Sequence, residues 1–488
     1  MSLPKNHEQV LDFAEQGIIE DGDLVMPTLY SLDTHGKYHV WTVLIGIKDA
    51  KDKQIPVTQD YIDREELPEG AYAVTWTISG RENMKQTVSD KTVCYEGKNL
   101  GKKNYTTAFT QSIYDARSLF NKKIRQGQKL DKQALKRPGD IYTIEELAED
   151  DTRGEYPWRV FAMSLHDYKK FPKKIHFSAA VQYKLDGILL IVVHHPVLPA
   201  IAVIDLDGKT KKLKIDCYSR SRETYEGQDQ MLLELYPIAQ KYPGLHFVGE
   251  LWKEGYGLQD ISGSARRKTD SKAKTERVIL NFNIFDCFYI DQPDLTFQER
   301  QYVLDDVFLD IEPEMITRIP TLEVKNVTEL KSIYQGYLAK GYEGAVVRNW
   351  NAKYEFGINK EIRSYDTMKI KPRPDSEWPI VGFEEGNGKE TGAIKWVCAE
   401  NDEGVKKRTG ELLPLEERKT FRVTPNQPTD VRKTIFAKYT AHSDWFKEQV
   451  YGQLATISYS ILSNTFMPQQ PKMLRFRNPE VDTLVRSE

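Results

Sequence analysis

The spacing of apolar residues changes along the chain, and each change marks a different kind of element. Between residues 24 and 110 the apolar positions fall in short pieces, PTLYSL, YHVWTVLI, AYAVTWTI and KTVCYE, separated by turn residues. This pattern predicts strands. Ala116, Leu119, Phe120 and Ile124 then recur at helical spacing, with Gly127 as a stop. The stretch 128–157 is charged, contains Pro138-Gly139 and holds no long period, so it reads as linker with IYTIEELAED as one short helix. From about 158 to 374 strand-like and helix-like segments alternate. The segment KPRPDSEWP at 371–379 carries three prolines and marks another boundary. Beyond it IVGFEEG, GAIKWVCAE, KTFRVTP and LATISYSIL predict a small all-β domain. No internal repeat stands out.

One stretch asks for more than a strand pattern. VQYKLDG at 181–187 seats Lys184, Asp186 and Gly187 before a second apolar run, ILLIVV. As a plain turn, Asp-Gly would join two strands of a hairpin. Other charged residues also stand at the ends of apolar strands, Glu250 in LHFVGELW and Glu343 in GYEGAVVRN, and the strand-like ILNFNIFDCFYI carries Phe285 beside Asp286. TMKIKP sets Lys369 and Lys371 two apart, which in a strand sends both ammonium groups to one face. Two such lysines repel unless they meet an anion.

Composition narrows the classes. A chain of 488 residues with 40% hydrophobic and 29% charged residues suits two to four soluble domains. No run is long enough to span a membrane, and MSLPKNHEQVLDF lacks a signal peptide's apolar stretch, so a cytoplasmic monomer without membrane contact is expected. Cys94, Cys217, Cys287 and Cys398 form no CxxC pair, against a structural zinc or a disulfide framework. The net charge of −3 does not suggest nucleic acid in bulk, but local patches do. Arg117 to Arg137 holds eight basic residues against Asp131, and Arg266-Arg267-Lys268 follows the stretch YGLQDISGSA, which reads as a loop. Either patch alone is equally a solvated surface. His194-His195 reads as a strand terminus, GFEEGNGKETG as a hairpin loop and DREELPEG as a solvated turn.

The ordered set KLDG, SR, GE, FD, EGAVVR and KIK resembles the motifs of the covalent nucleotidyltransferases, and within them the ATP-dependent DNA ligases. The resemblance covers about 160–488. It implies a multidomain α+β chain: an ATP-grasp-like nucleotidyltransferase domain of antiparallel sheets and helices at 158–374, then an OB-fold β-barrel at 375–488. It further implies ATP and Mg2+ as cofactors, nicked double-stranded DNA as partner, and a lysyl-AMP intermediate on Lys184. Lys369 and Lys371 would depress the pKa of Lys184 and hold the α-phosphate. Glu343 and Glu250 match the metal-placing acids, Glu250 also the ribose contact. Phe285 matches the aromatic that stacks on adenine, with Gln182 and Tyr183 beside the nucleotide. Arg220, with Arg222 as second candidate, would hold phosphate, and Arg266 and Arg267 would touch the DNA backbone. Arg475 and Arg477 stand where the last motif would orient pyrophosphate.

The chain also departs from that pattern. The ligases carry KxDGxR, and Leu189 stands where the arginine is expected. The usual Asp-Lys ending of the last motif is missing as well. A second resemblance links TWTISGRENMKQTV and EGKNLGKKNYTT to the WGR-type domain of DNA-break enzymes, with Ser79-Gly80-Arg81 in place of Trp-Gly-Arg. It implies a small β-rich DNA-gripping module at 1–130 that uses Arg81, Lys98, Lys102 and Lys103, followed by a linker at 131–157. The rival is a mere folding module. An RNA ligase or capping-type enzyme would use the same lysine, and a catalytically impaired nicked-DNA-binding protein would retain its surface. An NAD-dependent ligase would carry a four-cysteine zinc module, absent from this chain. The source, viral or phage origin included, stays open.

Overall fold

The computed structural model describes residues 5–486 apart from 34, 64, 100, 103, 138–139, 151–152, 268–276, 310, 387–389 and 464. Lys103, Lys268 and the pair Pro138-Gly139 thus lie outside the described residues. Near the N-terminus one long strand, Tyr38–Lys48, pairs antiparallel with Tyr72–Arg81, from His39 opposite Arg81 to Lys48 opposite Tyr72. Six shorter strands extend this sheet. The helix Ala108–Arg125 lies on it and buries Phe109, Ile113, Ala116 and Phe120 against Trp41, Val43 and Ile45.

That helix starts well before the periodic stretch, where the Thr107 hydroxyl accepts from the Thr110 amide. Leu119, counted in the apolar stripe, is exposed. A helix at Lys5–Ala14 adds Val10, Phe13 and Ala14 to the same core. Its three apolar contacts are too few to show as a period in so polar a segment.

The centre of the chain is built from two five-stranded sheets. One runs in the order Leu322–Val324, Ala179–Lys184, Gly344–Arg348, Arg363–Ile370, Ser164–Asp167. The other runs Ile215–Ser219, Ile188–His194, His246–Trp252, Asn281–Phe288, Ile316–Arg318. The expected antiparallel pairing holds throughout except for one parallel pair at the edge of each sheet. The hairpin reading of Asp186-Gly187 fails. Ala179–Lys184 and Ile188–His194 belong to different sheets, so the turn between them crosses from one to the other.

Two more expectations change. YGLQDISGSA forms a helix, Leu258–Ala265, because Ile261, Ser264 and Ala265 find buried partners that outweigh the poor propensity of Gly and Ser. The C-terminal part is not all-β. A five-stranded sheet in the order Thr420–Val423, Ile394–Ala399, Asp375–Glu385, Leu454–Ser458, Lys472–Phe476 is packed with the helices Thr429–Ala441, Ser443–Gln449 and Pro479–Arg486. Its end strands do not pair with each other, so the sheet does not close into a barrel. Trp378, Trp396, Ile435, Tyr439 and Phe446 form its core. No helix among the described residues is long and apolar enough to cross a membrane.

Candidate active site

Lys184 is the last residue of its strand, directly opposite Gly344. The Glu343 amide donates to the Lys184 carbonyl (2.9 Å), which brings the two side chains together as an ion pair. Lys371 Nζ donates to the other carboxylate oxygen of Glu343 at 2.7 Å. Glu250 enters from the second sheet, where its register partner is Leu189. Gly187 makes that approach possible. A Cβ there would come within 2.7 Å of Glu250 Cγ and closer still to the Leu251 carbonyl. The motif glycine is therefore a packing requirement between neighbouring strands, where the chain enters the second sheet beside Glu250.

These groups govern each other's protonation. Burial pushes the Glu250 carboxyl up to about 7, against the opposing pull of Lys184 and Arg220. At Glu343 burial acts upward too, but Lys184 and Lys371 outweigh it and hold the carboxyl below its ordinary value. Burial alone would lower the pKa of Lys184, yet Glu250 and Glu343 raise it above the ordinary lysine value. This corrects the expectation that Lys369 and Lys371 depress it: in the ligand-free site the nearer carboxylates dominate. Lys369 is itself lowered, by burial and then by Lys371, Lys184 and Arg220, so these cations do converge.

The cavity beside Lys184 is lined by Gln182, Phe285, Leu189, Ile319, Val346 and Tyr354 among others. Phe285 occupies a β-bulge: Val248 faces Asp286 and Gly249 faces Ile284, which leaves Phe285 unpaired. Bulges re-aim side chains, and here the ring becomes a cavity wall. Gln182 Nε2 donates to the Phe285 carbonyl (3.0 Å) and to Thr321 Oγ1 (2.8 Å). Since a carbonyl can only accept, the amide orientation is fixed. Gln182 Oε1 is then left buried without a partner. Tyr183 also lines this cavity. Its ring is stacked on Tyr342 at 4.2 Å.

Sequence reasoning missed the support beneath. Asp286 is fully buried and accepts from Arg300 Nε (2.8 Å) and Arg348 Nη1 (2.7 Å), and the Arg348 guanidinium stands 5.3 Å from the Phe285 ring. Arg159 makes a similar buried pair with Asp216, which also accepts from Trp158 Nε1 (2.6 Å). Only the FD motif hinted at this; Arg159, Arg300 and Thr321 carry no local signal.

The remaining candidates divide. Arg220 and Arg266 are exposed and line a larger cavity that also contains Lys184 and Glu250. Arg222 does not join them. It has a φ of 70° and its guanidinium lies over Phe161 at 4.1 Å, where burial lowers its pKa to about 10. Arg267 follows the helix Leu258–Ala265, and its carbonyl accepts from Arg277. Arg475 and Arg477 stand on and just beyond the strand Lys472–Phe476, with Arg477 3.9 Å from Glu377, and neither lines the Lys184 cavities. The C-terminal sheet domain instead reaches the site through Gln470. Arg81 pairs with Asp33 at 2.8 Å on the N-terminal sheet, while Lys98 and Lys102 are exposed nearby in sequence.

Two carboxylates, three lysines and an arginine around a cavity with an aromatic wall can bind a nucleoside triphosphate and present an amine to its phosphorus. Known proteins agree with this chemistry. The family model described as ATP dependent DNA ligase domain matches residues 160–371. The DNA ligase of African swine fever virus is 31% identical over 461 residues, covering 93% of this chain and 94% of that one. The DNA ligase of Thermococcus onnurineus is 31% identical over 212 residues, 41% of this chain and 36% of that protein. The DNA ligase of Nanoarchaeum equitans is 30% identical over 164 residues, 33% of this chain and 28% of that protein. With motifs, cavity and a near full-length viral relative in agreement, the chain belongs to the ATP-dependent DNA ligase family.

Proposed function

We propose that the enzyme seals nicks in duplex DNA through AMP carried on Lys184. The observation that carries this is the convergence of Lys184, Glu343, Lys371 and Glu250 at the mouth of a cavity whose inner wall offers Phe285 and the free Gln182 Oε1. The adenine ring stacks on Phe285, and its exocyclic amine donates to Gln182 Oε1. The neutral Lys184 amine attacks the α-phosphorus, the bond to pyrophosphate breaks, and the nitrogen gives up one proton and keeps one as the phosphoramidate forms. A phosphate oxygen of the nick's 5′ end then attacks the same phosphorus, and the amine leaves and regains a proton. The 3′-hydroxyl finally displaces AMP and closes the phosphodiester.

No cluster of three or more His, Cys, Asp or Glu side chains is arranged to hold a metal among the described residues. Two converging carboxylates without a full cage suit magnesium, which binds through one or two carboxylates together with substrate phosphates. Glu250 and Glu343 would hold it, and when bound it neutralises phosphate charge. With its charge shared with that metal, Glu343 would hold Lys184 less tightly and favour the free amine.

The domain reading stays 1–130, 131–157, 158–374 and 375–488. For the last, the strand order 3-2-1-4-5 suits an OB-fold left open between its third and fifth strands. For the first, the WGR-like reading with DNA contacts at Arg81, Lys98 and Lys102 rests on the sequence resemblance and on the exposure of those side chains. Incubation with magnesium and α-labelled ATP, GTP or NAD in parallel tests the chemistry. Label is expected on the protein from ATP alone and is lost when nicked duplex is added. A covalent adduct that survives Lys184→Ala would refute it.

A further inference from the structure

The departure at Leu189 has a counterpart elsewhere in the fold. Leu189 lies opposite Glu250 and forms part of the wall of the larger cavity that contains Lys184 and Arg220. An arginine there would reach into that cavity. The same cavity is lined from the other side by Lys122 and Arg125, from the C-terminal end of the helix Ala108–Arg125. At spacing i and i+3 they are neighbours on one helix face. Both are exposed, and neither has an ion pair or side-chain hydrogen bond among the described residues. The cavity's carboxylates do not neutralise them. Glu223, Glu250 and Glu361 line it together with Lys122, Arg125, Lys184, Arg220 and Arg266, so the cations outnumber the carboxylates.

The approach of this helix is built in. Gly127, with a φ of 96°, lies so close to the segment that follows Gly357 that a Cβ would overlap the Asn359 carbonyl. Asn359 Oδ1 accepts from the Lys136 amide (3.0 Å), and Lys360 Nζ donates to the Leu32 carbonyl (3.2 Å). The helix end is thus pinned to the nucleotidyltransferase sheets by contacts on both sides of Gly127.

We propose that Lys122 and Arg125, carried in from the N-terminal domain, form with Arg220 a clamp for the 5′-phosphate of the nicked strand and supply the charge missing at Leu189. The ligand class follows from the chemistry. A terminal phosphomonoester carries more charge and more free acceptor oxygens than any internal phosphodiester, and several unpaired cations beside the reactive lysine suit that group. The inference rests on the lysyl-AMP reading above.

The test loads the full-length enzyme with AMP from ATP and magnesium, adds EDTA, and measures binding to nicked duplexes carrying a 5′-phosphate or a 5′-hydroxyl. Wild type is expected to prefer the phosphate by about tenfold, the worth of one charge-assisted contact beyond hydration. In K122A/R125A that preference falls to near unity, and Leu189→Arg in the same background restores part of it. Single-turnover formation of DNA-adenylate at saturating DNA falls and recovers in parallel. Unaltered preference in K122A/R125A overturns the proposal. So does equal weakening toward both nicks, which marks a general backbone grip. Slowed self-adenylation with the preference intact assigns the pair to ATP and also overturns it. Wild type that takes up no AMP overturns the lysyl-AMP reading itself, and this is seen before DNA is added.

Discussion

Gly187, just before the strand Ile188–His194, lies so close to Glu250 on the paired strand that a β-carbon there would come within 2.7 Å of Glu250 Cγ. The turn that ends the Lys184 strand is thereby tied to the carboxylate facing Lys184. Gly187→Ala must push the turn away from the strand His246–Trp252 or displace the Glu250 side chain. Overpacking of this kind costs about 1–3 kcal/mol. We expect a lower melting temperature together with loss of self-adenylation well beyond what the stability change explains. Full activity in Gly187→Ala would show that Glu250 need not sit where it does.

Lys184 is held as an ammonium by Glu250 and Glu343 against the effect of burial. Removal of one carboxylate takes away part of the interaction that favours the charged form, so the pKa falls. Labelling of Lys184 with an amine-selective reagent across pH, read by mass spectrometry without ATP, should reach its half-point at lower pH in Glu343→Gln than in wild type. An unmoved half-point would mean that the ion pair does not govern the amine.

Glu250 has its folded pKa raised to about 7 from an ordinary 4.5. The folded state therefore keeps a proton that the unfolded chain has released, and stability drains away as pH rises through that window. Glu250→Gln has no such dependence. The stability difference between the two proteins should grow in favour of the glutamine variant from pH 5 to above pH 7, by on the order of 3 kcal/mol. Denaturant titrations at several pH values measure it, and a constant difference would contradict the shift.

Much of the candidate site was legible because its signals are local. A charged residue that ends an apolar run announces itself, as Lys184, Glu250 and Glu343 do, and the two-residue spacing of Lys369 and Lys371 fixes their common face. What was not legible depends on partners remote in sequence. Nothing in VQYKLDG tells that its strand pairs with residues near 345 while ILLIVV pairs with those near 250, so the turn passed for a hairpin. Gln182 gained its meaning only when Phe285 and Thr321 fixed its amide. Arg222 lost its expected role to the Phe161 ring, a contact that no spacing encodes.

Asp286 accepts from both Arg300 and Arg348 with no exposure to solvent, and this triad stands behind the Phe285 ring. Truncation of the shared acid leaves two buried guanidinium groups uncompensated, which costs about 3–5 kcal/mol in comparable buried pairs. Asp286→Ala is expected to be strongly destabilised in chemical denaturation. Asp286→Asn retains the shape and one acceptor, loses the charge, and should fall between the two. Because Arg348 also lines the cavity beside Lys184, the asparagine variant should bind ATP more weakly at temperatures where it remains folded. Nucleotide affinity equal to wild type would confine the triad to stability and separate it from the position of Phe285.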